Sequence, residues 1–329
     1  MPADRRLLVL GAALVVVAVV SLFLGRYPAP GFVSPDRLAS DDLAQRLVFN
    51  LRLPRLLTAV MLGMSLAGAG SVFQQIFGNP LVEPGFLGVS QGAAFGASLA
   101  IVLAGSNALL TQASAAGFAL GGLGLSYALA GRGRYGGSIM RLILAGIAVS
   151  AMFSAGVGAL KYMSDPLSQL PEITFWLLGS LSAVTWIQLW TIFPIVSISL
   201  YVIYRMRWRL NLLSLDDSTA FSLGATPGRE RALVLVAAVA ATAAVVSVCG
   251  MVAWIGLVVP HIARRLFGAD ARHVVPASLL IGGLFGLLCD DVARTAEPGE
   301  IPIGILTSLI GAAFFVAIMT SYGRVEEQR

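Results

Sequence analysis

Residues 52–77 read RLPRLLTAVMLGMSLAGAGSVFQQIF, and after Arg55 no charged side chain interrupts them. A run of about 20 apolar residues is enough to cross a bilayer's hydrocarbon core. An α-helix satisfies its own backbone N–H and C=O groups there, where water cannot. Gly63, Ala67, Gly68, Gly70 and Ser71 fall on adjacent turns of such a helix. Small residues at that spacing let backbones approach where no hydrophobic force drives helices together. This stretch is therefore expected to be a transmembrane helix buried on all sides, the central element of a bundle.

The rest of the 329 residues fit that frame. Mean hydropathy is +0.85 and only 12% of residues are charged, against about 25% in an ordinary soluble domain. The chain reads as a single all-α integral membrane domain over residues 1–329, because a barrel would show short alternating segments instead. Ten apolar runs qualify as spans, near 6–24, 53–77, 90–104, 108–130, 140–162, 187–205, 229–249, 252–267, 274–293 and 302–321. The first follows Arg5 and Arg6 as in a signal peptide. No small-residue cleavage site follows Leu24-Gly25-Arg26, so it reads as a retained span. Ten crossings put both termini on one side. With that side cytoplasmic, 15 of the 22 basic residues lie inside, as the positive-inside bias requires. The net charge of +5 follows from this bias and implies no nucleic acid. Cys249 and Cys289 sit in apolar surroundings and read as small core residues, with no disulfide or metal site.

The most polar interruption is Arg205–Arg231, RMRWRLNLLSLDDSTAFSLGATPGRER. Ser214-Leu215-Asp216-Asp217 has the form of a capping box with Ser214 as the cap, and both aspartates suit the positive end of a helix dipole. Gly224 is placed to stop the short helix in a left-handed conformation, and Thr226-Pro227 to open the next. From the loop alone, a partner-facing helix and a connector lying on the lipid surface are equally compatible.

The power source is constrained by what is missing. No Asp or Glu occurs between Pro84 and Ser164, whereas ion-coupled carriers bury carboxylates mid-membrane. Asp290 and Asp291 lie near a helix end, where pairing with arginine or solvent suits them better than a proton relay. The only lysine, Lys161, follows Leu160, so no phosphate-cradling loop with its lysine is present. Energy for active transport must come from another subunit. Two more segments stand out. Residues 78–89, GNPLVEPGFLGV, combine enforced turns with apolar Leu81, Phe86 and Leu87; a gate and a folded-back structural plug suit them equally. Arg52 and Arg55 place cations at a helix start, which is unfavourable unless they meet an acidic partner or lipid phosphates.

Four ordered stretches carry a resemblance: residues 52–96 beginning RLPRLLTAV, LSLDDSTAFSLGATPGR at 213–229, GMVAWIGLVVPHIARRLFGADARHVVPASLLIGG at 250–283, and EIPIGILTSLIGAAFF at 300–315. Together they resemble the permease family of type II ABC importers for iron chelates and vitamin B12. The resemblance implies about ten transmembrane helices per subunit in a plasma membrane of bacteria or archaea. It implies a homodimer working with two ATPase subunits and a periplasmic binding protein. ATP and magnesium would sit on the ATPases, with no cofactor on this chain. Ser214, Leu215, Asp216, Asp217, Ala220, Leu223 and Gly224 would belong to the coupling region, near 211–227, that fits the ATPase cleft. Arg52, Arg55 and Arg294 would contact acidic residues of the binding protein. Asn79 and Leu81, with Ser138 beside Gly137, would form the cytoplasmic gate.

The implied activity is movement of a metal chelate (ferric siderophore, haem or corrinoid) into the cytoplasm by alternating access. Residues 151–170 are expected to shape a roomy, mildly polar route. His261 belongs to the family motif Val259-Pro260-His261 and is disfavoured as a metal ligand. Similar permeases carry molybdate or tungstate, and no residue excludes an oxyanion. An ion-coupled secondary transporter is the rival class, which the missing mid-membrane carboxylates oppose.

Overall fold

The structure is a computed structural model describing residues 2–26, 31–34, 40–105, 107–132 and 138–326. Among these residues the α-helices are α1 (Ala3–Phe23), α2 (Asp42–Arg46), α3 (Leu53–Phe77), α4 (Val89–Ala104), α5 (Ala108–Arg132), α6 (Ser138–Met163), α7 (Gln169–Leu178), α8 (Trp186–Leu213), α9 (Asp217–Ser222), α10 (Pro227–Cys249), α11 (Ile255–Phe267), α12 (Ala271–Ala296) and α13 (Ile303–Glu326). A two-residue antiparallel pairing, β1 (Leu24–Gly25) with β2 (Gly31–Phe32), follows α1. All ten expected spans are helical, and seven helices are long and apolar enough to cross a membrane alone. In the structure the eighth is the shortest of the ten. α11 has 13 residues, about 20 Å at 1.5 Å per residue, because residues 250–254 precede it as irregular chain.

α3 is the central helix, as its pattern predicts. It packs against α8, α10, α11 and α12, and 78% of its apolar window is buried. The glycines explain how. A Cβ on Gly63 would fall 1.9 Å from the Gly282 carbonyl oxygen of α12, and one on Gly70 would fall 1.9 Å from that of Gly256 on α11. Backbones in contact at both points leave no room for any side chain. Gly92 and Gly96 of α4 meet the carbonyls of Phe118 and Ser114 on α5 in the same way. Gly117 and Gly121 have the same spacing but face open space, so spacing alone overstates their packing.

Pro260 inside α11 has no N–H to bond the carbonyl four residues earlier. Gln74 of α3 takes that acceptor instead: its Nε2 donates to the Gly256 oxygen at 3.2 Å and the Leu257 oxygen at 3.3 Å. Its Oε1 accepts from Arg264 at 2.5 Å. One buried amide thus joins both ends of the short helix to the central one. α1 is the opposite case, with 6% of its window buried and Leu8, Val15 and Val16 exposed, as a lipid-facing helix requires.

Candidate coupling loop, translocation cavity and outer ion network

The loop quoted as 205–231 is more helical than its composition suggests. α8 continues past Arg205, Arg207 and Arg209 to Leu213, because charged side chains on an extended turn can be solvated or stacked. Arg207 lies 3.9 Å from the centre of the Tyr204 ring. The capping assignment changes as well. Ser214 ends α8, and its hydroxyl donates to the Asn211 carbonyl at 2.9 Å. Asp216 is the cap of α9, accepting from Thr219 N–H at 3.0 Å and from the Ser218 hydroxyl at 2.5 Å. These bonds, the Ser218 hydroxyl foremost, hold the Asp216 carboxyl down to about 2. An aspartate reaches the first-turn N–H groups from two residues further on, which the serine cannot. Gly224 takes φ 80 and Pro227 starts α10, both as expected.

α9 is held on both sides. Arg231 of α10 donates to the carbonyls of Leu213 at 2.9 Å and Leu215 at 3.1 Å and pairs with Asp217. Its neighbour Glu230 accepts from Arg209 at 2.8 Å and from Thr226 N–H at 2.9 Å, and Arg209 also bonds the Gly224 carbonyl at 3.0 Å. Ala220 is fully buried, whereas Leu215, Phe221 and Leu223 are exposed at 40%, 69% and 56%. The outward surface therefore sets these apolar side chains among exposed Ser214, Asp216, Asp217, Ser218, Thr219 and Ser222, and Phe221 is its largest apolar member.

A cavity of about 960 Å³ opens among α4, α6, α10, α13 and the segments at 83–86 and 251–256. Its polar lining comes from Glu83, Ser90, Gln91, Ser150, Thr242 and Ser308. Among the described lining residues Glu83 is the one that ionises; its carboxylate accepts from the backbone N–H of Trp254, which sits at φ 73 just before α11. The cavity is lined by other residues than the stretch expected to shape a route. The wall on α6 is Ile147 and Ser150 rather than 151–170, and α7 supplies Leu177 and Leu178. Asn79 and Leu81 are exposed, joined by a bond from Leu81 N–H to Asn79 Oδ1 at 2.9 Å. Val82, Pro84 and Leu87 carry the packing of that segment instead. Ser138 opens α6; Gly137 lies outside the described residues.

The three arginines expected at the binding-protein face are placed differently. Arg55 is 9% exposed; its Nε reaches Asp290 Oδ1 at 2.7 Å and its Nη1 reaches Glu300 Oε2 at 2.8 Å. Arg294 is 7% exposed and pairs with Asp291 at 2.5 Å, while the Ser21 hydroxyl donates to the same aspartate. Arg52 donates to the carbonyls of Leu22 and Phe23 at 3.4 and 3.3 Å. The unfavourable cation at the start of α3 is offset inside the chain, by carboxylates from α12 and from residue 300. Arg55 and Arg294 are thus buried rather than at the surface: Asp290 and Glu300 lie 235 and 245 residues from Arg55, whereas Asp291 lies only three from Arg294. Among the described residues no cluster of three or more His, Cys, Asp or Glu could hold a metal, and both cysteines are free and buried.

The model of the FecCD transport family matches residues 13–321. The chain belongs to the FecCD transport family. The molybdate import system permease protein MolB of Haemophilus influenzae is 40% identical over 92% of this chain and 91% of its own length. The hemin transport system permease protein HmuU of Yersinia pestis is 35% identical over 98% and 97%. A solved structure described as an inward-facing, metal-chelate type ABC transporter superposes with TM-score 0.90, at 39% identity over 97% of this chain and 99% of that one. This FecCD member is therefore a multi-pass permease subunit of an ABC importer. It is not itself an enzyme, and ATP is handled by partner ATPase subunits.

Within that family setting, sequence reasoning missed Phe221 and Glu83. Phe221 follows the buried Ala220 by one position on a helix, which turns it by about 100° to the outer face. Glu83 lay in a segment already singled out, as its only acid.

Proposed function

We propose that the chain moves a metal chelate (ferric siderophore, haem or corrinoid) from a periplasmic binding protein into the cytoplasm by alternating access. It does so as a homodimer with two ATPase subunits, with both termini and the 214–224 loop on the cytoplasmic side. One observation carries the reading: a capped, doubly anchored helix presents Leu215, Phe221 and Leu223 outward between the arginine-bearing ends of α8 and α10. Apolar side chains on an ordered loop are costly in water and favoured in a partner's cleft. Leu215, Asp216, Leu223 and Gly224 shape that surface, while Asp217 and Ala220 hold it from behind. The binding protein would meet the outer face whose shape the Arg55 and Arg294 pairs set, with Arg52 the most accessible of the three. Asn79 and Leu81, exposed at the other end of α3, suit a gate closed by a second copy.

The cavity supports a bulky cargo. Its volume of about 960 Å³ is at the upper end for small-molecule sites, and its wall is apolar with hydroxyl and amide groups and one carboxyl, Glu83. A molybdate-type oxyanion is the second reading, favoured by similarity to MolB. Against it, a dianion would cross a described lining that offers one carboxylate and no cation. Purification in mild detergent should recover an ATPase whose hydrolysis the cognate binding protein stimulates; a permease that retains no ATPase would overturn the assignment. Mass analysis of the binding protein's cargo then decides between chelate and oxyanion.

A further inference from the structure

We infer that Arg231 and Glu230 make α9 and α10 move as one rigid body, so that the first turn of α10 is the lever through which the ATPase stroke reaches the cavity. This rests on the reading that residues 214–224 face the ATPase. α9 has six residues, too few to be a stable helix by itself, so a push on it would be absorbed unless it is braced. The brace is doubled. Arg231, 8% exposed, uses its planar fork on the carbonyls of Leu213, which ends α8, and Leu215, just beyond it, and on Asp217 in the first turn of α9. Glu230 closes the other end through Arg209 and Thr226, and Arg209 holds the Gly224 carbonyl. Adjacent residues of one helix thus grip the entry and the exit of the coupling loop. From there α10 runs, 72% buried, past Thr242 in the cavity wall. It ends at Gly250, whose absent side chain lets it touch the Trp176 carbonyl of α7. Residues 251–253, the next ones in the chain, line the same cavity. A displacement of residues 230–231 along the α10 axis therefore arrives at the cavity without crossing a flexible joint.

Arg231 is a positioning residue, and its contribution is separable from docking. Only a guanidinium reaches the carbonyls and the carboxylate together; Lys keeps the charge and Gln keeps neither. In a Cys249→Ala, Cys289→Ala background, Ser150→Cys places a probe on the cavity wall. With the co-purifying ATPase bound, a membrane-impermeant maleimide should label this cysteine at different rates before and after trapping with ATP and vanadate. Arg231→Gln should lose the nucleotide-dependent change while ATPase still co-elutes, and Arg231→Lys should restore part of it. An unchanged labelling switch in Arg231→Gln would overturn the inference. So would loss of ATPase co-elution in both Arg231 variants, which would make the clamp part of the docking surface. If the native protein binds no ATPase, the underlying functional reading fails instead. Melting temperature in detergent, measured alongside, guards against global unfolding: a switch lost only in proportion to loss of folded protein would also count against the lever.

Discussion

At the scale of single residues, the costliest contact to break is Arg55–Asp290, with side chains 11% and 2% exposed. Removing one member of a buried pair leaves an uncompensated charge. Asp290→Asn should therefore cost about 3–5 kcal/mol, seen as a lower melting temperature in detergent, while Arg207→Gln on the solvated turn of α8 should leave it unchanged. Gly224 offers a different test. No atom lies within 4 Å of a Cβ built there, but its φ of 80 penalises any other residue by about 1–2 kcal/mol. Gly224→Val should lower transport per ATP hydrolysed, and Gly224→Asn should do so less, because Asn tolerates the left-handed region. Asp216 sets a pH window. Its folded carboxyl lies below the ordinary aspartate value, at about 2, so the cap's contribution is complete above about pH 4 and lost as pH falls through 2. Transport measured between pH 5 and 8 should owe no slope to this group.

At the scale of elements, equal glycine spacings have unequal consequences. Gly63→Ala must push α12 away from α3, since the new Cβ would sit 1.9 Å from a carbonyl oxygen. Overpacking of this kind costs about 1–3 kcal/mol. Gly121→Ala meets nothing within 4 Å and should be neutral or stabilise by about 0.5–1 kcal/mol through helix propensity. Paired melting curves check both. The sequence pattern of α3 was legible because one continuous run of small and apolar residues allows only a buried helix. The shortness of α11 was not, because residues 250–254 are as apolar as the helix they precede yet form irregular chain ending at Trp254 with φ 73.

At the scale of the molecule, the proposed orientation puts Phe221 and the basic loops at the cytoplasmic end. A Phe221→Cys probe should react with an impermeant maleimide in inside-out vesicles and not in right-side-out ones, and bound ATPase should protect it; the buried native cysteines give little background. Labelling from the periplasmic side would reverse the orientation. Class, spans, the central helix and the turn at Gly224 were all determined by the sequence itself. Each rests on a local property: hydropathy over about 20 residues, a small-residue repeat, or a glycine at a turn. The partners of Arg55, the burial of Arg294, the outward face of Phe221 and the cavity wall were decided only by the tertiary structure. Those features depend on which distant backbones touch and which way a side chain turns, and packing, rather than composition, sets both.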